Sequence, residues 1–524
     1  MTAKNVNEKA NATEMDPCAF NMYMEIMRKE LPIGESFDLL ERKLFIGGRR
    51  ASMFFVDGLT DGEKTQRILA YLMAVPAAGL YGISSSQRFI ETALPFLDTT
   101  VIEPKNGSPD AAGGNPAAGR NADSTSTPPL TMVQAVDCYR QMLPKLYAGL
   151  VPLLVEGLDR IIIIDCREYP SRSVEEPDKE KTLRGAKDGF TENFMENVAL
   201  IRRRIRDNNL IFKAYNVGSV SKSDVAVVYL KNRADMKLID KLDQCLKDMA
   251  PDAGGHGTDV LSVADQSLLE RLLAALGTAK GLNPFPKVRY TQRPDIIAAH
   301  LAEGKAAIIV DNSPTVMMLP VSIFEFFQDP DDYYFPRMTG NYFRMIRIIN
   351  FLVILFLTPV YLILAQSQDF TPEVLSFFVP AEDYAIPIFW QFILLEIAVD
   401  GLKLASLNTP TSLGMSLSVI GALILGEFSI DSGWFISQTI LCMAVVALAA
   451  FTQPSIELSY AMKFGRILML IGAQLFGIAG AATAAVLSFI VMASTKTLSG
   501  HSYIYPLIPF NGAALKRLIF RTKS

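Results

Sequence analysis

The 524-residue chain is poor in the residues from which most metal and catalytic sites are built. Its three histidines, His256, His300 and His501, stand far apart, two of them in or near turn-rich stretches, which removes most metal and triad schemes. The five cysteines, Cys18, Cys138, Cys166, Cys245 and Cys442, are scattered with no CxxC or Cys/His spacing. They read as free thiols of a reducing compartment. No GxxxxGK[ST] loop occurs, because "AEGKAAI" lacks both the upstream glycine and the following hydroxyl. The acidic "VEEPDKEK" reads as a turn rather than a catalytic pair. The N-terminal "MTAKNVNEKANATEMDPCAF" has no apolar core of a secretory signal, which puts the soluble part in the cytosol. A net charge of -4 offers no field for a polyanion and argues against nucleic acid. No catalytic residue, cofactor or metal ligand is assigned, and the chain does not read as an enzyme.

What is abundant is apolar surface. Half the residues are hydrophobic against 20% charged, and the mean hydropathy is +0.24, too oily for an ordinary soluble protein. The excess is concentrated after residue 345. Ile348 to Gln368, Leu404 to Gly426, Ser432 to Ile456 and Ile467 to Thr495 carry no charge, and Ala385 to Val399 is apolar apart from Glu396. At about 20 residues per crossing these runs predict roughly four or five spans. Pro410, Pro454 and "FGIAGAAT" mark breaks between or within them. Arg337, Arg344 and Arg347 precede the first run and an acidic stretch comes after it, which places the N-terminal region inside. Five full crossings would then leave "LKRLIFRTKS", with Lys516, Arg517, Arg521 and Lys523, outside. Either one segment is re-entrant, with Ala385 to Val399 the best candidate, or residues 497–515 dip back into the bilayer.

Upstream, residues 1–30 are polar and expected to be disordered, and the Gly/Pro/Ser/Asn tract 104–129 is expected to be a flexible loop. "ERKLFIGGRRASMFFVDG" predicts a hairpin about Gly47 and Gly48. "GEKTQRILAYLMAV" and Met132 to Leu146 predict helices. "GLVPLLVEG" and "DRIIIIDCRE" predict a second hairpin, with Ile161 to Ile164 covered on both faces. A strand "SDVAVVYL", a helix "ADMKLIDKLDQCLKDM", a helix near 261–277 and a hairpin "AAIIVDNSPTVMMLP" come next. The fold class expected is therefore an α/β cytosolic N-terminal region of two subdomains, followed by an α-helical multipass membrane domain. The boundaries expected are 31–185 and 186–340 for the subdomains and 341–524 for the membrane domain.

Two constellations carry chemistry. In "GFTENFMENVALIRRRIRD", Phe190, Phe194, Val198, Ile201 and Ile205 form one apolar helical stripe, with Thr191 as N-cap. Arg202, Arg203, Arg204 and Arg206 fall in its last turns, where cations meet the helix dipole. They are a candidate assembly surface, weighed against a solvated helix end and a phosphate or headgroup contact. At membrane depth, Glu396 and Asp400 share a helix face with Lys403 one turn on, and Glu427 ends "TSLGMSLSVIGALILGE". Charge is costly there, so the three carboxylates are a candidate ion path, against a headgroup-level Asp400–Lys403 pair. Gly414, Ser418, Gly421 and Ala422 have the spacing of a close helix contact.

"SRSVEEPDKEKTLRGAKDGFTENFMENVALIRRRIRD" resembles the most characteristic block of the A subunits of GerA-type spore germination receptors. "NPFPKVRYTQRPDIIAAHLAEGKAAIIVDNSPTVMMLP", "EFFQDPDDYY", "NTPTSLGMSLSVIGALILGE" and "SYIYPLIPF" match further blocks in the same order. "EYPSRSVEEPDKEKTLRGAKDGF" is most similar to the stage V sporulation protein AF branch. The resemblance implies a multipass protein of the spore inner membrane with a cytosolic N-terminal region. It also implies a homo-oligomer, as pentamers, that conducts cations and works with other germination membrane proteins. A non-conducting scaffold or signal amplifier is the alternative. An enzyme acting on a phosphate or cell-wall substrate has only the arginine cluster in its favour.

Overall fold

A computed structural model describes residues 18–103, 132–168, 180–218, 222–249, 283–329, 331–366, 384–408, 421, 426 and 429–519. The expected loop 104–129 and the expected helix near 261–277 lie outside the described residues, as does Glu427. The chain divides into two compact units. The first comprises Met1–Asp178, Asp188–Leu268 and Thr291–Met317. The second comprises Lys179–Lys187, Leu269–Tyr290 and Met318–Ser524, so residues from Met318, not 341, group with the apolar helices.

The first sheet contains β1 (Leu39–Ile46), β2 (Arg49–Val56), β3 (Thr99–Val101), β4 (Val151–Val155) and β5 (Ile162–Ile164), in the order β1-β2-β4-β5-β3. Its pairings are antiparallel. The β1–β2 turn is Gly47-Gly48, both at positive φ (54° and 81°), the backbone a two-residue hairpin needs. Strand alternation sends side chains to two separate cores. Phe54, Val56, Leu154 and Ile163 pack with α1 (Cys18–Glu30) and α4 (Met132–Leu146), while Met53, Leu153, Ile162 and Ile164 pack with α2 (Gly62–Ala74) and α3 (Ser86–Ala93). The isoleucine run is thus covered on both faces. Disorder through residue 30 is overturned for 18–30. Phe20, Tyr23, Met24 and Met27 of α1 are core residues, because an amphipathic stripe lies hidden among the polar positions of "CAFNMYMEIMRKE".

The second sheet runs β6-β7-β9-β10-β8, with β6 (Leu210–Val217), β7 (Ser223–Leu230), β8 (Arg289–Thr291), β9 (Ala306–Val310) and β10 (Val316–Leu319). Its helices are α5 (Phe194–Arg204), α6 (Met236–Asp248) and α7 (Pro294–Ala302). α5 and α7 pack on each other and on β9, and α6 packs on β6. The N-cap of α5 is Asn193, not Thr191, since Asn193 Oδ1 accepts from the amides of Met195 (3.0 Å) and Glu196 (3.3 Å). Thr191 instead exchanges hydrogen bonds with the Asn197 side chain, and Phe190 lies before the helix.

Arg202 holds the first unit together at the meeting of its two sheets. It is 0% exposed, as is Asp38, just before β1. Its Nε donates to Asp38 Oδ2 at 2.7 Å, and its Nη2 donates to Asp38 Oδ1 at 2.9 Å and to Leu210 O at 3.0 Å. The guanidinium lies between two rings, 5.0 Å from Tyr147 at the end of α4 and 4.8 Å from Phe212 in β6. Ser36 Oγ closes the network by accepting from Phe212 N at 2.9 Å.

The second unit is helical, with α8 (Arg337–Gln366), α9 (Ile388–Asn408), α10 (Ser437–Phe451), α11 (Ile456–Ser494) and α12 (Gly512–Ile519). Among the described residues, α8 and α11 are long and apolar enough to cross a membrane by length and composition, and α10 is a shorter apolar helix. Pro454 separates α10 from α11, as expected. Ile388 to Val399 of the candidate re-entrant run lie in α9, which continues unbroken to Asn408. Non-helical backbone falls at Gly477, inside α11 and within the expected break "FGIAGAAT".

Arg202→Ala leaves Asp38 buried and unpaired, so it should cost about 3–5 kcal/mol, while Arg202→Met combined with Asp38→Leu should recover much of that loss. Thermal and denaturant unfolding of the purified protein measures both. Asp243 of α6 is drawn upward by partial burial, but hydrogen bonds from Lys213, Tyr215 and Lys247 outweigh this and lower its pKa from 3.8 to about 2. Its contribution is complete above about pH 4 and is lost as pH falls through about 2. Asp243→Asn should therefore flatten the pH dependence of stability in that window.

Candidate functional site: a charge cluster among apolar helices

Glu396 and Asp400 lie one turn apart on α9, as their spacing requires. Neither is a lone carboxylate. Lys463 and Arg466, three apart on α11, face them. Arg466 Nε donates to Glu396 Oε1 at 2.7 Å, and Arg466 Nη1 donates to the Ile354 carbonyl of α8 at 2.8 Å. Glu396 and Arg466 are each 3% exposed. Lys463 Nζ stands 3.3 Å from Glu396 Oε2, donates to the Glu396 carbonyl at 3.3 Å and pairs with Asp400. Asp400 pairs with Lys463 from α11 rather than with Lys403, its partner in the headgroup-level alternative. The Lys403 ammonium lies 5.3 Å from the Phe451 ring centre and 5.6 Å from that of Tyr460. A small cavity opens among Val399, Asp400, Lys403, Met443, Tyr460 and Lys463.

Three cations thus surround two carboxylates. The group has no spare negative charge to offer a passing cation while these pairs are closed. It ties three helices together at one level, through Ile354 of α8, Glu396 of α9 and Arg466 of α11. Sequence reasoning named the carboxylates and missed their partners. The signal was present: Lys463 and Arg466 are spaced to share a helix face and immediately precede the uncharged run at 467–495. Glu427 lies outside the described residues. Gly421, from the small-residue stripe, approaches Leu402 so closely that a Cβ there would stand 2.6 Å from a Leu402 methyl.

The arginines of α5 divide. Arg202 is interior and cannot belong to an assembly surface. Arg204 is partly buried, pairs with Asp188 and donates to Leu200 O at 3.0 Å. Arg203 and Arg206 are exposed and are the part of the set that faces outward. Arg344 and Arg347, ahead of the first apolar run, are also buried. Arg347 Nη1 donates to the Asp332 carboxylate at 2.6 and 2.7 Å, and Arg344 lies 3.4 Å from it.

The model of the Bacillus/Clostridium GerA spore germination protein family matches residues 26–524. The chain belongs to this family. Stage V sporulation protein AF of Bacillus subtilis (strain 168) is 31% identical over 498 residues, covering 95% of this chain and 91% of that protein. Spore germination protein KA of the same organism is 27% identical over 398 residues, covering 75% and 71%. Among solved structures, the N-terminal domain of the A subunit of the Bacillus megaterium spore germinant receptor GerK3 matches at 22% identity with a TM-score of 0.36. It covers 57% of this GerA-family chain and 92% of that one.

Truncating one partner of the buried pair should destabilise the GerA-family chain strongly. Glu396→Gln or Arg466→Gln should each cost about 3–5 kcal/mol, and the double variant less than their sum, since it strands neither charge. Thermal unfolding in detergent reads this coupling.

Proposed function

We propose that this chain is a multipass membrane subunit of the spore inner membrane, with its N-terminal region cytosolic. It oligomerises, as a pentamer, and promotes cation release during germination alongside other germination membrane proteins. The family match over residues 26–524 is the observation that carries this reading. The apolar helices and the Arg337, Arg344 and Arg347 set at the start of the first of them support the membrane placement and orientation. On this reading Glu396, Asp400 and Glu427 line the ion path. The closed pairs with Lys463 and Arg466 are its resting state, and opening requires the cations to leave the carboxylates. The exposed Arg203 and Arg206 belong to the assembly surface.

A second reading has one specific observation in its favour. Because cations already compensate both described carboxylates, the cluster also suits a non-conducting scaffold or signal amplifier whose helices are locked together.

Conductance of the purified protein in lipid vesicles, with potassium or sodium release from spores, separates the two. A channel predicts cation flux that Asp400→Asn changes at least severalfold. The absence of flux with and without partner proteins, or unchanged release after neutralising Glu396, Asp400 and Glu427 one at a time, would favour the scaffold.

A further inference from the structure

We infer that α11 is a helical hairpin rather than one long crossing. It turns at Gly477 and returns the C-terminal segment to the membrane face from which α8 starts. This inference rests on the membrane reading above and extends it to a part of the chain that reading leaves unplaced.

The first observation is local. Gly477 has φ 59° and ψ −140°, backbone that an L side chain rarely adopts, and it interrupts an otherwise helical run from Ile456 to Ser494. On either side the chain meets itself. A Cβ at Gly472 would collide with the backbone of Gly480, and a Cβ at Gly480 with that of Gly472. Farther from the turn, a Cβ at Gly465 would stand 3.9 Å from the Cβ of Ser488. In a straight helix, residues 465 and 488 would lie about 35 Å apart at 1.5 Å per residue. These contacts therefore require two antiparallel limbs, 456–476 and 478–494. They are about 31 Å and 26 Å long, each close to the thickness of a hydrocarbon core. The pairs share a midpoint near 476, as a fold-back about Gly477 demands. The absence of side chains at Gly472 and Gly480 lets the limbs touch at the tip.

The second observation is independent of the turn and gives direction. The first limb runs parallel to α8. Arg466 meets Ile354 at one level, and Gln366 Nε2 donates to Gln474 Oε1 at 2.9 Å at a level farther along both helices. The second limb must then run back toward the start of α8, and the residues after Ser494 are found there. Thr495 Oγ1 accepts from Asn283 Nδ2 at 2.7 Å, Tyr503 O accepts from Ile323 N at 3.0 Å, and Leu518 O accepts from Arg344 Nη1 at 3.2 Å. Each partner precedes the apolar part of α8 in the chain. Lys516 of α12 accordingly lies on the face that Arg337, Arg344 and Arg347 mark as inner, which removes the conflict in the charge count.

Two measurements test this on the full-length protein. In oxidising conditions, Gly465→Cys with Ser488→Cys should form an intramolecular disulfide, since a Cβ separation near 4 Å suits one. Mass spectrometry of the peptides distinguishes that bond from any involving native cysteines, and absence of the bond in folded protein overturns the hairpin. In membrane vesicles, epitope tags at the N- and C-termini of the otherwise unaltered chain should be protected from protease together or cleaved together, whichever face is outward. Cleavage of one tag with protection of the other overturns the return of the tail. Release of the protein by alkaline carbonate would instead overturn the membrane reading, so failure of either idea is recognised separately.

Discussion

A charge taken out of water must meet its opposite, and this constraint organises both units. In the first, Arg202 and Asp38 are fully buried and hold each other in a bidentate contact, with two aromatic rings on the guanidinium faces. In the second, the buried Glu396 and Arg466 pair among apolar helices, with Nε and Nη2 both at Glu396 Oε1, and Asp332 gathers Arg344 and Arg347 where the first of those helices begins. Such pairs contribute little net stability compared with an apolar replacement, but each half is costly without the other. They therefore specify which elements meet: the first sheet with the helix of the second, α9 with α11, and the short turn at 331–334 with α8.

Around these contacts the packing is ordinary. β1, β2, β4 and β5 of the first sheet each feed two cores through simple alternation, which explains why so little polar residue interrupts "PLLV" and "IIII". The helices of the second unit bury Tyr361, Phe392, Ile436 and Leu470 in one cluster. Glycine does a different task there. At Gly477 it admits a backbone reversal, and at Gly472 and Gly480 its missing side chain admits another backbone.

Membership of the GerA spore germination protein family joins these features to a biological setting. The proposed membrane role and the cluster's chemistry fit one another through the same physics. Paired carboxylates are a closed arrangement, and any path that uses them has to begin by separating ions at low dielectric, a step expensive enough to hold a resting state shut.

Short-range pattern was enough for much of this. Apolar runs about turn residues predicted the two hairpins of the first sheet, helical spacing predicted α2, α4 and α6, and several long motifs in order revealed the family. β6 went unread because "LIFKAYNV" mixes polar residues into its second half, and α1 because its apolar positions are diluted by charge. The arginine run shows the limit most directly. Four like residues stand at the end of one helix, yet one is interior, one is bound to Asp188 and two are exposed. Likewise Glu396 and Asp400 announced themselves, while Lys463 and Arg466 became their partners only when α9 and α11 met. Local periodicity determines which face of an element is apolar, so sequence by itself determined the strongly patterned elements, their apolar faces and the family. Which charge meets which, and whether an uncharged run crosses once or turns back, depends on contacts between residues tens of positions apart, and only the tertiary structure decided those.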